Sequence, residues 1–186
     1  ITATSADLSA AATTFTVAIT DHDESDATAP TDSNSATNTV AENAAVAATV
    51  GVTALSADAD GGTNTITYSV SDQSCTSLFG VDSSTGVVSV AATTNLDYET
   101  ATSCTVEITA TSADLSAAAT TFTVAVTDVN DESPSDMALS AASAAENAAA
   151  GADIGTLSTT DGDASGNSHV YTLVTDSGGA TAYSGT

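Results

Sequence analysis

The sequence predicts an all-β chain built from tandem β-sandwiches of about seven strands each. Three observations carry this prediction: an internal repeat sets the size of the unit, apolar residues alternate with a period of two, and small and β-branched side chains dominate the composition.

Residues 1–20, ITATSADLSAAATTFTVAIT, return 107 residues later at 108–127 with one change, Ile19 to Val126. A weaker echo relates Val40–Val70 to Ala144–Val174 at an offset of 104 that falls to 103. Such a unit is far longer than a solenoid repeat of about 20 to 50 residues and has the size of an independently cored domain. The repeat boundaries divide the chain into the end of one unit (1–29), one complete unit (30–134) and the beginning of a third (135–186). Pro30 and Pro134 fall at the seams. The near-identity of the duplicated stretch points to recent copying and to further units in a longer parent. The chain starts at Ile1 with neither a basic n-region nor an apolar h-region, and so reads as a mature or excised segment.

Within the complete unit, Ile66, Tyr68 and Val70 alternate with Thr67 and Ser69. Val106, Ile108 and Ala110 alternate with Glu107 and Thr109, and Phe122, Val124 and Val126 alternate with Thr123 and Ala125. These are the patterns of half-buried antiparallel strands. Turn signals at Asp60-Gly61-Gly62 and Ser84-Thr85-Gly86 separate the runs. Cys75 and Cys104 lack metal-site or thioredoxin spacing. Cys104 shares the inward parity of Val106, so a bridge to Cys75 is the expectation, with two buried thiols as its alternative.

The chain holds 24 acidic residues, no Lys or Arg and two His, for a formal charge of -24. Binding to nucleic acid or an anionic membrane through a basic patch is therefore excluded, as are Lys and Arg catalysis. No window of about 18 apolar residues is present for direct membrane insertion of this segment. His22, in a linker, and His169, on an expected strand, read as exposed polar residues.

The carboxylates gather in short motifs: Glu42-Asn43, Asp58-Ala59-Asp60, Leu96-Asp97-Tyr98-Glu99, Ala113-Asp114 and Asp128-Val129-Asn130-Asp131-Glu132. Hard divalent cations take six to eight oxygen ligands at about 2.3 to 2.6 Å, which single carboxylates on separate loops at a sandwich end can supply. An EF-hand reading of Asp161–Gly166 fails, because loop position 12 is Thr172 and the flanks are strand-like. Asp82 and Asp153 read as solvated turn residues.

In this order the motifs resemble the cadherin repeat. The likeness runs from Glu42-Asn43 through the DxDxGxN turn of Asp58–Asn64, Phe79-Gly80-Val81-Asp82 with Thr85-Gly86-Val87, Leu96-Asp97-Tyr98-Glu99 and Ala113-Asp114 to the DxND linker Asp128–Asp131. The resemblance implies tandem seven-stranded Greek-key sandwiches of the immunoglobulin-like, cadherin type, with Ca2+ ions between consecutive domains. At the second junction it implies ligation by Glu42, Asp97, Glu99, Asp128, Asn130 and Asp131 from upstream. Asp161, Asp163 and the carbonyl of Asn167 would answer from downstream. At the first junction it implies Asp21, Asp23 and Glu24 in the linker, with Asp58, Asp60, Asn64 and Asp114 beyond it. Asp7 and Glu146 would serve junctions farther out. The first linker, Asp21-His22-Asp23-Glu24-Ser25, departs from the family in lacking its Asn.

The expected function is a calcium-rigidified segment of a long extracellular or cell-surface protein, acting as rod, filament strand or adhesin stalk. Its partners would be calcium ions, further repeats of the same chain, and copies of itself or a cell-surface partner. A calcium-dependent module that binds carbohydrate or protein directly is the alternative. An enzyme is not expected: the paired carboxylates of a glycosidase would need a sugar cleft, and only 4% of residues are aromatic.

Overall fold

A computed structural model of the chain describes residues 1–20, 22, 24–60, 64–92 and 96–174. The described residues contain strands and turns and no helix. In chain order the strands are β1 (Thr2–Thr4), β2 (Ala10–Ala12), β3 (Thr31–Asp32), β4 (Thr39–Ala41), β5 (Thr49–Leu55), β6 (Thr67–Gln73), β7 (Phe79–Val81), β8 (Val87–Val90), β9 (Ser103–Thr111), β10 (Ala117–Thr127), β11 (Ser135–Leu139) and β12 (Leu157–Thr160).

Two four-stranded sheets, ordered β4-β10-β9-β6 and β3-β5-β8-β7, pack face to face as a sandwich. The alternation read from the sequence sets the inner faces. Val106, Ile108 and Ala110 of β9 and Val124 of β10 are wholly buried, against Val50 of β5 and Val88 of β8. Tyr68 reaches the core from β6, and its buried hydroxyl accepts the N–H of Ser56 at 3.0 Å. Cys104, also inward, forms a disulfide with Cys75, their Cα atoms 5.6 Å apart. At the Ser84-Thr85-Gly86 turn, Asp82 accepts the N–H groups of Ser84 and Thr85 at 3.0 and 2.8 Å, so Asp82 is a turn residue. Of the Asp60-Gly61-Gly62 signal, both glycines lie outside the described residues.

The sandwich has eight strands because its first strand is divided between the sheets. β3 pairs antiparallel with β5, and β4 pairs parallel with β10. Asp32 ends β3 by accepting the N–H groups of Asn34 at 3.0 Å and Thr53 at 3.1 Å. The crossing chain then passes over Gly51, whose φ is +86° and where a Cβ would lie 2.4 Å from the Thr37 carbonyl oxygen. Only glycine meets both conditions. Gly155 holds the corresponding place against Ala141, with a Cβ 2.7 Å from its carbonyl oxygen.

The duplicated stretches share a hairpin. Thr2↔Ala12, Ala3↔Ala11 and Thr4↔Ala10 repeat Thr109↔Ala119, Ala110↔Ala118 and Thr111↔Ala117. Leu8 and Leu115 both take positive φ, 63° and 78°. Beyond the tip the copies diverge. Phe122, Val124 and Val126 are 8, 0 and 4% exposed, whereas Phe15, Val17 and Ile19 are 63, 82 and 95% exposed and outside any strand. Likewise His169–Leu173, expected as a strand, lies outside any strand. A half-buried strand forms only where a partner strand and a core accept it.

Candidate metal centre

The acidic motifs meet at the two linkers. At the second, Glu42 follows β4 and is buried, 4% exposed. Its carboxylate accepts the N–H of Tyr98 at 2.7 Å and of Val129 at 2.6 Å, tying the LDYE turn to the start of the linker. Asp97 accepts the Thr100 N–H at 3.0 Å and its hydroxyl at 2.8 Å. These contacts bring oxygens of Glu42, Asp97 and Glu99 within 4.8 Å of one another.

A second group unites Glu99, Asp128 and Asp163, also within 4.8 Å, although 35 residues separate Asp128 from Asp163 in sequence. The downstream loop is held to the linker from both sides. Asp128 accepts the Ala164 N–H at 3.1 Å and the Ser165 hydroxyl, while Asp163 accepts the N–H groups of Asp131 and Glu132 at 3.2 and 3.3 Å. Asn130 donates its amide to the Ser165 carbonyl at 3.3 Å. Asn167 donates its side-chain amide to the Asp163 carbonyl at 2.6 Å, so the side chain of Asn167 braces the loop. Asp161 accepts the Asp163 N–H at 3.3 Å. His169 lies 3.9 Å from Asp161 with its side chain only 19% exposed. Its reading as an exposed residue is thus corrected: it is half-buried beside the Asp161 carboxylate. His22 is exposed, as expected.

The first linker repeats part of this plan. Asp58, Asp60 and Asp114 place oxygens within 4.8 Å of one another. Asp60 accepts the N–H groups of Glu24 and Ser25 at 3.4 and 2.7 Å, as Asp163 does from Asp131 and Glu132. Asp58 accepts the Asp60 N–H at 3.0 Å, and Asp114 accepts the Ser116 N–H at 2.7 Å. The side chain of Glu24 is largely exposed, as is Asn64. Asp21 and Asp23 lie outside the described residues. The bracing contacts of Thr100, Ser165 and Ser25 were not foreseen; the spacing of Thr100 three residues after Asp97 is a local turn signal, and the other two join distant segments.

The electrostatics are those of unneutralised carboxylates. Desolvation, then the charges of Glu42, Asp128 and Asp163, push the Glu99 carboxyl above its usual range. Desolvation, then Glu42, Asp163, Asp97 and Asp128, raise that of Asp131. Hydrogen bonds from Thr100 and from Ser165 hold Asp97 and Asp128 below theirs. One oxygen each of Asp58 and Asp163 is buried without a hydrogen-bond partner. A buried carboxylate oxygen facing other carboxylates is costly unless a cation neutralises it. An all-oxygen donor set of this charge fits calcium better than a softer metal.

Fold and site together define a class: a Greek-key β-sandwich repeat with carboxylates gathered where it meets the linkers. Residues 36–127 match the family model "Cadherin domain", so this repeat is a cadherin domain. Among solved structures it is similar to the protocadherin GammaB4 extracellular domain, at 26% identity and a TM-score of 0.62 over 79% of this chain and 23% of that one. Mouse cadherin-23 EC22-24 is similar at 25% identity and a TM-score of 0.55, over 77% of this chain and 46% of that one. A protocadherin gammaB7 EC3-6 cis-dimer structure shares the fold at 20% identity and a TM-score of 0.61, over 88% and 41%. The chain spans less than half the length of each of these. No curated protein matches it in sequence. Cadherin domains are extracellular, non-enzymatic adhesion modules that bind calcium as a family, and the acidic clusters here are compatible with that ligand.

Proposed function

We propose that the chain is a calcium-stiffened stretch of an extracellular tandem array, working as a rod or stalk in cell-surface adhesion. In this reading residues 1–29 end one repeat, 30–134 form a complete one and 135–186 begin a third. The observation that carries it is the Glu99, Asp128 and Asp163 group, with its buried unpartnered oxygen, assembled from the sandwich, the linker and the downstream loop. When bound, calcium supplies the positive charge that this arginine- and lysine-free chain lacks.

The chain's own residues do the rest. Glu42 fixes the linker to the LDYE turn through the Val129 and Tyr98 N–H groups. Asp163 fixes the next loop to the linker through Asp131 and Glu132. Without neutralisation the same carboxylates repel and the linker loosens.

Calorimetric calcium titration tests the reading, together with melting in calcium and in chelator, for the unmodified chain, Glu99→Ala and Asp131→Ala. Several ions bound per chain and a large calcium-dependent rise in Tm that both substitutions reduce are the expected results. No binding at millimolar calcium, where extracellular calcium modules bind, would refute it.

A further inference from the structure

Both linkers end in the same two rungs of contact. At the first, Asp60 accepts the N–H groups of Glu24 and Ser25, and four residues before it the hydroxyl of Ser56 donates to the Thr28 carbonyl. At the second, Asp163 accepts the N–H groups of Asp131 and Glu132, and four residues before it the hydroxyl of Thr159 donates to the Ser135 carbonyl. Thr160 adds a second hydroxyl to that carbonyl at 3.3 Å. Ser56 is itself fixed: it is 8% exposed, and its N–H ends on the buried hydroxyl of Tyr68 at 3.0 Å. Thr28 returns its own N–H to the Ala57 carbonyl at 2.9 Å.

The linker brings only backbone groups to these rungs, N–H groups to one and a carbonyl to the other. They therefore recur although residues 24–28 and 131–135 share no residue at matching positions. Seven residues separate Asp21 from Thr28 and Asp128 from Ser135, so the rungs hold both linkers to one length. We propose that Ser56 and Thr159 are positioning residues for the acidic groups, hydroxyl latches that set where each linker ends and how its carboxylates meet those of the next loop. Asp58 and Asp161 lie midway between the rungs, so a slip at the hydroxyl rung shifts them against the linker. Partners that orient a ligand without touching the ion tune its affinity in this way. The effect on calcium rests on the function proposed above, whereas the latch itself belongs to the metal-free chain.

The test is amide hydrogen exchange, read by NMR on the full chain in chelator. Ser56→Ala should speed exchange of the Glu24 and Ser25 N–H groups about five-fold or more and leave those of Asp131 and Glu132 unchanged. Thr159→Val with Thr160→Val should do the reverse. Ser56→Thr and Thr159→Ser keep a hydroxyl and should keep the protection. Unchanged exchange at both linkers would overturn the proposal. So would an equal acceleration at Ile108 in the core, since the hydroxyls would then serve general stability alone. Calorimetric calcium titration of the Thr159→Val/Thr160→Val chain should show affinity at the second junction lowered about ten-fold. Unaltered affinity there would overturn the positioning role. Local exchange changes in a chain that binds no calcium even unmodified would uphold the latch and refute the calcium reading instead.

Discussion

Asp163 accepts the backbone N–H of Asp131 at 3.2 Å through Oδ1, while its Oδ2 is buried without a hydrogen-bond partner. One carboxylate thus has two duties: its Oδ1 braces the linker, and the residue joins Glu99 and Asp128 in the acidic group. Asp163→Asn keeps an acceptor for the Asp131 and Glu132 N–H groups and removes the charge. In chelator its Tm should equal or exceed that of the unmodified chain, because repulsion with Glu99 and Asp128 falls. In calcium the metal-dependent gain in Tm should shrink, with affinity at this junction down about ten-fold or more. Paired melts with and without calcium check both signs.

The pH dependence of the metal-free chain follows from the same charges. Glu99 and Asp131 are held above their ordinary values of 4.5 and 3.8. Their favourable contribution is present below the unfolded value and is lost as pH rises through the folded value. Asp97 and Asp128 are held below 3.8, so theirs is present above the unfolded value and is lost as pH falls through the folded one. Lowering the pH from neutral should therefore first raise Tm, as Glu99 and Asp131 gain protons above their ordinary values. It should then lower Tm as Asp97 and Asp128 are protonated. Glu99→Gln should flatten the rise. A Tm that falls continuously from neutral pH in ion-free buffer would contradict this.

Much of the sandwich was legible because parity determines which side chains of β9 and β10 face inward, and Val106, Ile108, Val124 and Cys104 all do so. The divided first strand was not legible. β3 and β4 are two and three residues long, and the break depends on Asp32 reaching the Thr53 N–H and on the close pass at Gly51. Thr13–Thr20 shows the limit of local reading most directly, since the same letters form part of β10 at 120–127 and no strand here. At the linkers, motif order led to Glu42, Asp97, Glu99, Asp128 and Asp163. The bracing partners Ser165 and Ser25 were hidden because their contacts join separate segments, as Ser165 joins Asp128 across 37 residues.

The disulfide should account for a measurable share of stability. Cys75 and Cys104 are 29 residues apart, and closing a loop of that length removes unfolded-chain entropy worth about 3 to 4 kcal/mol. Urea unfolding with and without reductant, or of Cys75→Ala/Cys104→Ala, should show a loss of that order. The calcium-dependent increment in Tm should survive, because neither cysteine belongs to the acidic groups. Loss of that increment on reduction would mean that the disulfide positions the acidic groups.

Phe15 and Phe122 offer a controlled comparison, since each is the phenylalanine of the same TTFTVA stretch and only its surroundings differ. Phe122 is 8% exposed in the core of the sandwich, whereas Phe15 is 63% exposed. Phe122→Ala should cost about 3 to 5 kcal/mol, combining lost transfer energy with the cavity left behind. Phe15→Ala should stay within about 0.5 kcal/mol of the unmodified chain. Urea titrations of the two variants in calcium read the difference directly. Similar losses at the two positions would mean that Phe15 is buried in solution, against a surface that the central sandwich does not provide.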